Sequence, residues 1–233
     1  VTLEDVIEKV MEKPTQSPDR LRALPDYVCE QLDANGLPGA KGGSGGELRV
    51  TGLAREKDWD VAYEFAGKFR LLISLKSLWK NAAGTVPNRL DDHMGEIANI
   101  QQLRPEIVIG YVVLFDVVAD STRKDGTTWS MFFEQAIKRI AVRKAPLWNQ
   151  GLLEGSWFIR FDSRKAKGQR LLDDSKVAAE GKAFFKSLLS ELALREPAVP
   201  FRKDGTESDS KEAGFIAPSV SLDSRLEQIQ GSR

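Results

Sequence analysis

The stretch Asp58-Trp59-Asp60-Val61-Ala62-Tyr63-Glu64-Phe65-Ala66-Gly67-Lys68-Phe69-Arg70-Leu71-Leu72-Ile73-Ser74-Leu75-Lys76-Ser77 decides the fold of this chain. Its halves, 58–65 and 69–77, are rich in β-branched and aromatic residues and read as strands joined by the tight loop Ala66-Gly67-Lys68. If pairing is symmetric about Gly67, one face sets Trp59 against Leu75, Val61 against Ile73, Tyr63 against Leu71 and Phe65 against Phe69. That face is apolar throughout. The other sets Asp60 against Ser74, Ala62 against Leu72 and Glu64 against Arg70. A one-residue slip would mix the two faces, so the pattern specifies an antiparallel hairpin. The same register projects Asp58, Asp60, Ser74 and Lys76 to one side, with Asp60 and Lys76 as diagonal neighbours. An acid beside a lysine is either an ordinary cross-strand ion pair or a catalytic pair, and the spacing leaves both open. Glu64 with Arg70, nearer the turn, reads as structural.

Outward from the hairpin, helical and extended patterns alternate. Thr2 and Asp5 resemble a capping box before Val6, Ile7, Val10 and Met11, which gives a short helix ending near Pro14. Ser17-Pro18 starts a second helix over Leu21, Leu24, Val28 and Leu32, ending before Gly36, with Pro25 placed to kink or split it. Residues 89–102, 129–143 and 173–193 read as helices, and 106–118 and 156–162 as strands. This order predicts an α/β fold with a central mixed sheet flanked by helices. Residues 1–200 then form one domain, and 201–233 a polar, mobile tail.

Composition narrows the chemistry. The 233 residues are 41% hydrophobic and 29% charged, with 34 basic against 34 acidic side chains, so a polyanion surface requires local segregation of charge. The single cysteine, Cys29, excludes an internal disulfide and reads as a buried structural thiol. With one histidine, His93, no Cys/His zinc set can be assembled. A metal would need oxygen ligands. No apolar run is long enough for a membrane span and no signal-peptide profile is present, so the expected location is the prokaryotic cytoplasm. The glycine-rich stretch 36–46 lacks the G-x-x-x-x-G-K-[ST] order of a phosphate loop and reads as a mobile connection.

The segments Asp58–Phe65 and Leu71–Ser77 resemble the signature hairpin of PD-(D/E)XK nucleases, a group that includes many type II restriction endonucleases. Asp60 matches the first acid and Lys76 the lysine of the acid-x-Lys motif. Ser74 stands where the second carboxylate is expected, and serine cannot supply the anionic charge that holds Mg²⁺. Some restriction endonucleases with Ser-x-Lys carry the missing carboxylate on the following helix. In 88–99 a buried stripe of Leu90, Met94, Ile97 and Ile100 leaves Glu96 at its boundary and Asp92 nearer solvent, at about 100° per residue. Glu96 is the candidate, with Glu47 next. His93, near the stripe's edge, reads as a packed or surface residue before a catalytic base.

The resemblance implies that Asp60, Glu96 and the Leu75 backbone carbonyl ligate Mg²⁺ while Lys76, beside Ser74, handles the attacking water. It further implies double-stranded DNA as substrate and a homodimer matched to a palindromic site. Asn88 and Arg89 could hold a phosphate at a helix start. Arg160, Arg164, Lys165, Lys167 and Arg170, with Asp162 the one acid among them, form the clearest positive segment and are the expected DNA contacts. Arg123, Lys124, Lys138, Arg139, Arg143 and Lys144 add basic charge nearby, while Trp129, Trp148 and Trp157 read as core or interface. A repair or junction-resolving nuclease, and an inactive DNA-binding protein of the same fold, are the alternatives.

Overall fold

The computed structural model describes residues 1–13, 17–146, 148 and 150–202. A five-stranded mixed sheet in the order β1-β4-β5-β6-β7 is covered by helices on both faces. The strands are β1 (Lys41–Gly42), β4 (Val61–Phe65), β5 (Lys68–Leu78), β6 (Val108–Asp116) and β7 (Gly155–Phe161). A separate two-stranded ribbon pairs β2 (Leu48–Thr51) with β3 (Glu56–Trp59). Helices α1 (Leu3–Met11), α2 (Ala23–Ala34) and α5 (Asp174–Arg195) cover one face, and α3 (Ala82–Gln101) and α4 (Trp129–Ile140) the other. β5, β6 and β7 run parallel, with α3 and α4 as the crossovers.

Local chemistry accounts for most boundaries. Thr2 and Asp5 form a full capping box at α1. The second helix is split: a 3₁₀ turn over Pro18–Leu21 precedes α2, and Pro25 falls in the first turn of α2, where its missing N–H costs nothing. β6 is buried at every position, as a central parallel strand requires. Phe201 packs on the core and Arg202 bonds Gly36 and Asp33, so the domain extends to residue 202. The rest of the expected tail lies outside the described residues.

The hairpin keeps its central register, Val61 to Ile73, Ala62 to Leu72 and Tyr63 to Leu71, and departs from expectation at both ends. At the turn, Ala66 and Gly67 both take positive φ (52° and 71°), and the turn has two residues rather than three. The lost residue reappears as a bulge, so that Glu64 faces Phe69 and Arg70 is extruded to pair with Glu196 at 2.7 Å. The expected Glu64–Arg70 pair does not form. At the other end the chain bends at Asp60, and Trp59 pairs with Leu48 instead of Leu75.

That bend reverses the alternation. Val61 enters the core with α1, α2 and α5, whereas Trp59, two residues earlier, enters the core with α3 and α4 alongside Ala62 and Leu72. The glycine-rich stretch is likewise more than a connection. β1 extends the sheet beside β4, and a Cβ on Gly42 would lie 2.4 Å from the Asp60 carbonyl oxygen. Only glycine permits that approach.

Candidate active site

Since β3 leaves for the ribbon, β5 runs on past the end of β4, and the Leu75 N–H meets no strand. The Asp60 carboxylate takes the place of the missing backbone partner, accepting the Leu75 N–H at 2.7 Å. In an extended strand the N–H and C=O of one residue leave on the same edge, so the Leu75 carbonyl faces the Asp60 side as well. Lys76 follows on the α3 face, with the fully buried Ser74 beneath it in the core.

Helix α3 supplies the opposite wall. It begins at Ala82 rather than near 89, capped by Asn81 in left-handed conformation, whose side chain accepts the Gly84 N–H at 3.1 Å. Asn88 is therefore not at a helix start; its amide donates to the Gly84 carbonyl at 3.3 Å within the second turn. His93 and Glu96 sit on the side toward the sheet, His93 against Tyr111 of β6 and Glu96 against Lys57 of β3, with Arg89 half-buried one turn before and Asp92 exposed. The stripe is rotated from the expected one, with His93 buried and Met94 46% exposed.

Lys57, from β3, completes the cluster. Its Nζ lies 2.8 Å from Glu96 Oε1, and the two side chains are only 9% and 13% exposed. Glu96 Oε2 is buried with no hydrogen-bond partner. Beneath them His93 stacks on Tyr111 at 3.5 Å between ring centroids, and Tyr111 is the register neighbour of Ser74 across β5 and β6. Both His93 nitrogens, Tyr111 Oη and Ser74 Oγ are buried without partners. Such atoms each cost about 1–3 kcal/mol unless something polar meets them. Asp58, expected beside Asp60, lies instead on the outer ribbon and is bonded by Arg49.

Electrostatics tie the groups together. Burial lifts the Asp60 carboxyl above its ordinary 3.8, against the pull of the Leu75 N–H, Lys76 and Lys57. Burial lowers the Lys76 ammonium below 10.5, reinforced by Lys57 and opposed by Asp60 and Glu96. His93 is driven from 6.5 to about 3, first by burial and then by Lys76 and Lys57. Tyr111 is raised by burial, with Arg89, Glu96, Asp60 and Asp92 also acting on it. A lysine drawn toward its neutral form among carboxylates is a group suited to proton transfer.

Glu47 is exposed, one residue before the Leu48–Trp59 pair, at the ribbon end next to Asp60. Among the described residues no three His, Cys, Asp or Glu side chains converge as a metal group. Mg²⁺ needs less, because it commonly takes one or two protein carboxylates and keeps water or phosphate oxygens for the rest. Asp60, the Leu75 carbonyl and the unpartnered Glu96 Oε2 fit that donor set.

The positive segment is largely committed elsewhere. Arg160 pairs with Glu134 at 2.6 Å, Arg170 pairs with Glu8, and Arg164, though 70% exposed, is held by Asp162. Glu4 accepts the Arg170 and Leu171 N–H groups and Glu8 that of Gly168, so α1 clamps the loop. Lys165 and Lys167 remain at the surface, Lys167 at 4.0 Å from Glu12. In the second basic group, Arg123 is paired with Asp125, Lys138 with Glu134 and Glu180, and Arg143 with Glu154 in the interior. Trp157 is core, Trp129 packs against the α3–α4 side, and Trp148 is bonded through Nε1 to Glu191. Burial pushes the Cys29 thiol up to about 11, consistent with an inert packed group.

Lys57 and the His93–Tyr111 stack were missed from sequence. Leu48 and Val50 before Gly52, and Lys57 and Trp59 after it, do alternate as a hairpin would. That was the available signal. Comparison of the chain with protein-family models, with curated proteins and with solved structures finds no significant match to any of them.

Proposed function

We propose that this protein is a Mg²⁺-dependent endonuclease hydrolysing phosphodiester bonds in double-stranded DNA, on the plan of a type II restriction endonuclease of the PD-(D/E)XK kind. The observation that carries the reading is the Asp60 carboxylate on the Leu75 N–H, at the open edge of β5 and one residue before Lys76, with Lys76 and Glu96 both acting on it electrostatically. The α/β core, with a hairpin, a crossover helix and a parallel strand in that order, is also what the resemblance implies.

In this reading Asp60, Glu96 and the Leu75 carbonyl would hold the cation, which would offset charge on the scissile phosphate and make a water more acidic. Lys76 orients the attacking water and, in its neutral form, accepts a proton from it as the new P–O bond forms and a sugar oxygen leaves. Asp60, fixed by the Leu75 N–H, opposes the loss of the Lys76 proton electrostatically. Arg89 lies on the helix side that faces the cluster and can meet a phosphate; Lys165 and Lys167 are the members of the basic loop best placed to do so from the surface. Among the described residues no helix is long and apolar enough to cross a membrane. A homodimer would place two such sites on a palindromic duplex.

Purified protein incubated with plasmid and phage DNA should give Mg²⁺-dependent discrete fragments. Lys76→Ala should reduce cleavage by about 10²–10⁴-fold without lowering the melting temperature. Undiminished cleavage by that variant overturns the assignment, and cleavage confined to branched DNA replaces it with a junction-resolving nuclease. Two features favour a second reading, a DNA-binding protein of this fold without activity: Ser74 stands at a carboxylate position and Lys57 sits on Glu96. Absence of cleavage with retained duplex binding would select it.

A further inference from the structure

We infer that Lys57 and a divalent cation compete for Glu96, which makes Lys57 a positioning residue of this site; the inference rests on the metal-dependent reading above.

Three features support it. The Lys57–Glu96 pair is short and almost closed to solvent, yet it satisfies only one carboxylate oxygen and leaves Oε2 buried without a partner. A buried ion pair with a structural task would have both oxygens bonded, since an orphaned one carries a full desolvation penalty. Next, the ammonium arrives from the outer ribbon and not from the main sheet, so the side chain can withdraw without disturbing β4, β5 or β6. The ribbon itself does not depend on the pair. Its turn is held to α3 by Asn99, whose side chain accepts the Ala54 N–H at 2.7 Å and donates to the Arg55 carbonyl at 2.9 Å. Lastly, Lys57 stands among the same groups a cation would meet, acting electrostatically on Asp60 and Lys76 together. Two positive charges cannot share so small and dry a space without strong repulsion. Binding of the cation therefore requires the ammonium to leave Glu96, and the Trp59 ring, 5.2 Å from Nζ, borders the space beside it.

The test is Mn²⁺ binding to the full chain, with free ion counted by electron paramagnetic resonance at constant ionic strength. Lys57→Met should tighten Mn²⁺ binding by about tenfold or more, and the gain should vanish in Lys57→Met combined with Glu96→Gln. Because Met leaves Glu96 without a donor, Lys57→Gln is measured in parallel, and circular dichroism checks the fold of each variant. Its amide donates without charge. Binding equal to or weaker than that of the unaltered chain in both variants overturns the inference, for that is the result if Lys57 only holds Glu96 in position. Failure of the underlying reading is separate: Mn²⁺ binding that ignores both Asp60→Asn and Glu96→Gln, or no binding by any form, removes the metal site and the competition with it.

Discussion

Two groups of buried charge stand on this sheet, and they are built differently. Before β7, Glu154 is wholly buried and accepts from Arg143 at 2.6 Å, Arg195 at 2.7 Å and the Ile109 N–H at 2.6 Å. Glu191 beside it accepts from Trp148 Nε1, Ala145 and Arg195. Every oxygen of these two carboxylates is answered, and the group leaves Arg195 Nε unmet on the donor side. Around β5 and α3, by contrast, Glu96 Oε2, Ser74 Oγ, Tyr111 Oη and both His93 nitrogens have no partner. A network with all acceptors bonded gives rigidity, whereas a half-satisfied one is costly unless water, a cation or a substrate completes it. The first group is thus bonded into the fold, whereas the second leaves polar atoms that the protein by itself does not answer.

Substitutions can break or sharpen that contrast. The largest effect on stability belongs to the first group: Glu154→Ala leaves Arg143 buried without an acid and Arg195 with Glu191 alone. A loss of about 3–5 kcal/mol is expected from urea unfolding. A loss below about 1 kcal/mol would remove the structural role.

Acid should expose the other group. His93 stays neutral in the fold down to about 3, while in the unfolded chain it takes a proton near 6.5. Between those values the unfolded chain binds the extra proton. Its contribution to stability is therefore complete above 6.5 and is lost, at up to about 1.4 kcal/mol per pH unit, as pH falls toward 3. Asp60, raised in the fold, works in the opposite sense just above 3.8. Urea midpoints of the unaltered chain and His93→Leu, compared from pH 7 to 3, should diverge; parallel curves would contradict the buried neutral imidazole.

The smallest effects concern the orphaned hydroxyls. Tyr111→Phe and Ser74→Ala remove polar atoms that the fold leaves unmet, so each should be neutral or should stabilise by about 1 kcal/mol in thermal melts. A loss of more than about 1 kcal/mol in either would mean that its hydroxyl is bonded after all, and the two groups would then be less different than drawn.

Much of this was legible in the chain. The period-2 pattern over Val61–Tyr63 and Leu71–Ile73 sets the central register, because both faces of the hairpin are constrained by burial. Glu96 was reachable from the helical period of α3. The start of that helix was not: Gly84 and Pro87 argue against it locally, and it forms because Ala82 and Val86 are buried against the α3–α4 side of the sheet. Lys57 was hidden for a sharper reason. In an unbroken strand it would share a face with Trp59 and Val61, opposite Asp60, and nothing in the local pattern marks the bend.

By itself, then, the sequence determined the α/β class and the central register of the hairpin, since the apolar period acts over a few residues. Only the tertiary structure decided the bend at Asp60, the transfer of Trp59 to the other core, the arrival of Lys57 on Glu96 and the stacking of His93 on Tyr111. Those depend on which strand an edge pairs with next. In this chain β3 pairs with the neighbouring β2 instead of extending β4, and the groups it then meets, Glu96 and His93 on α3 and Tyr111 on β6, lie far along the chain.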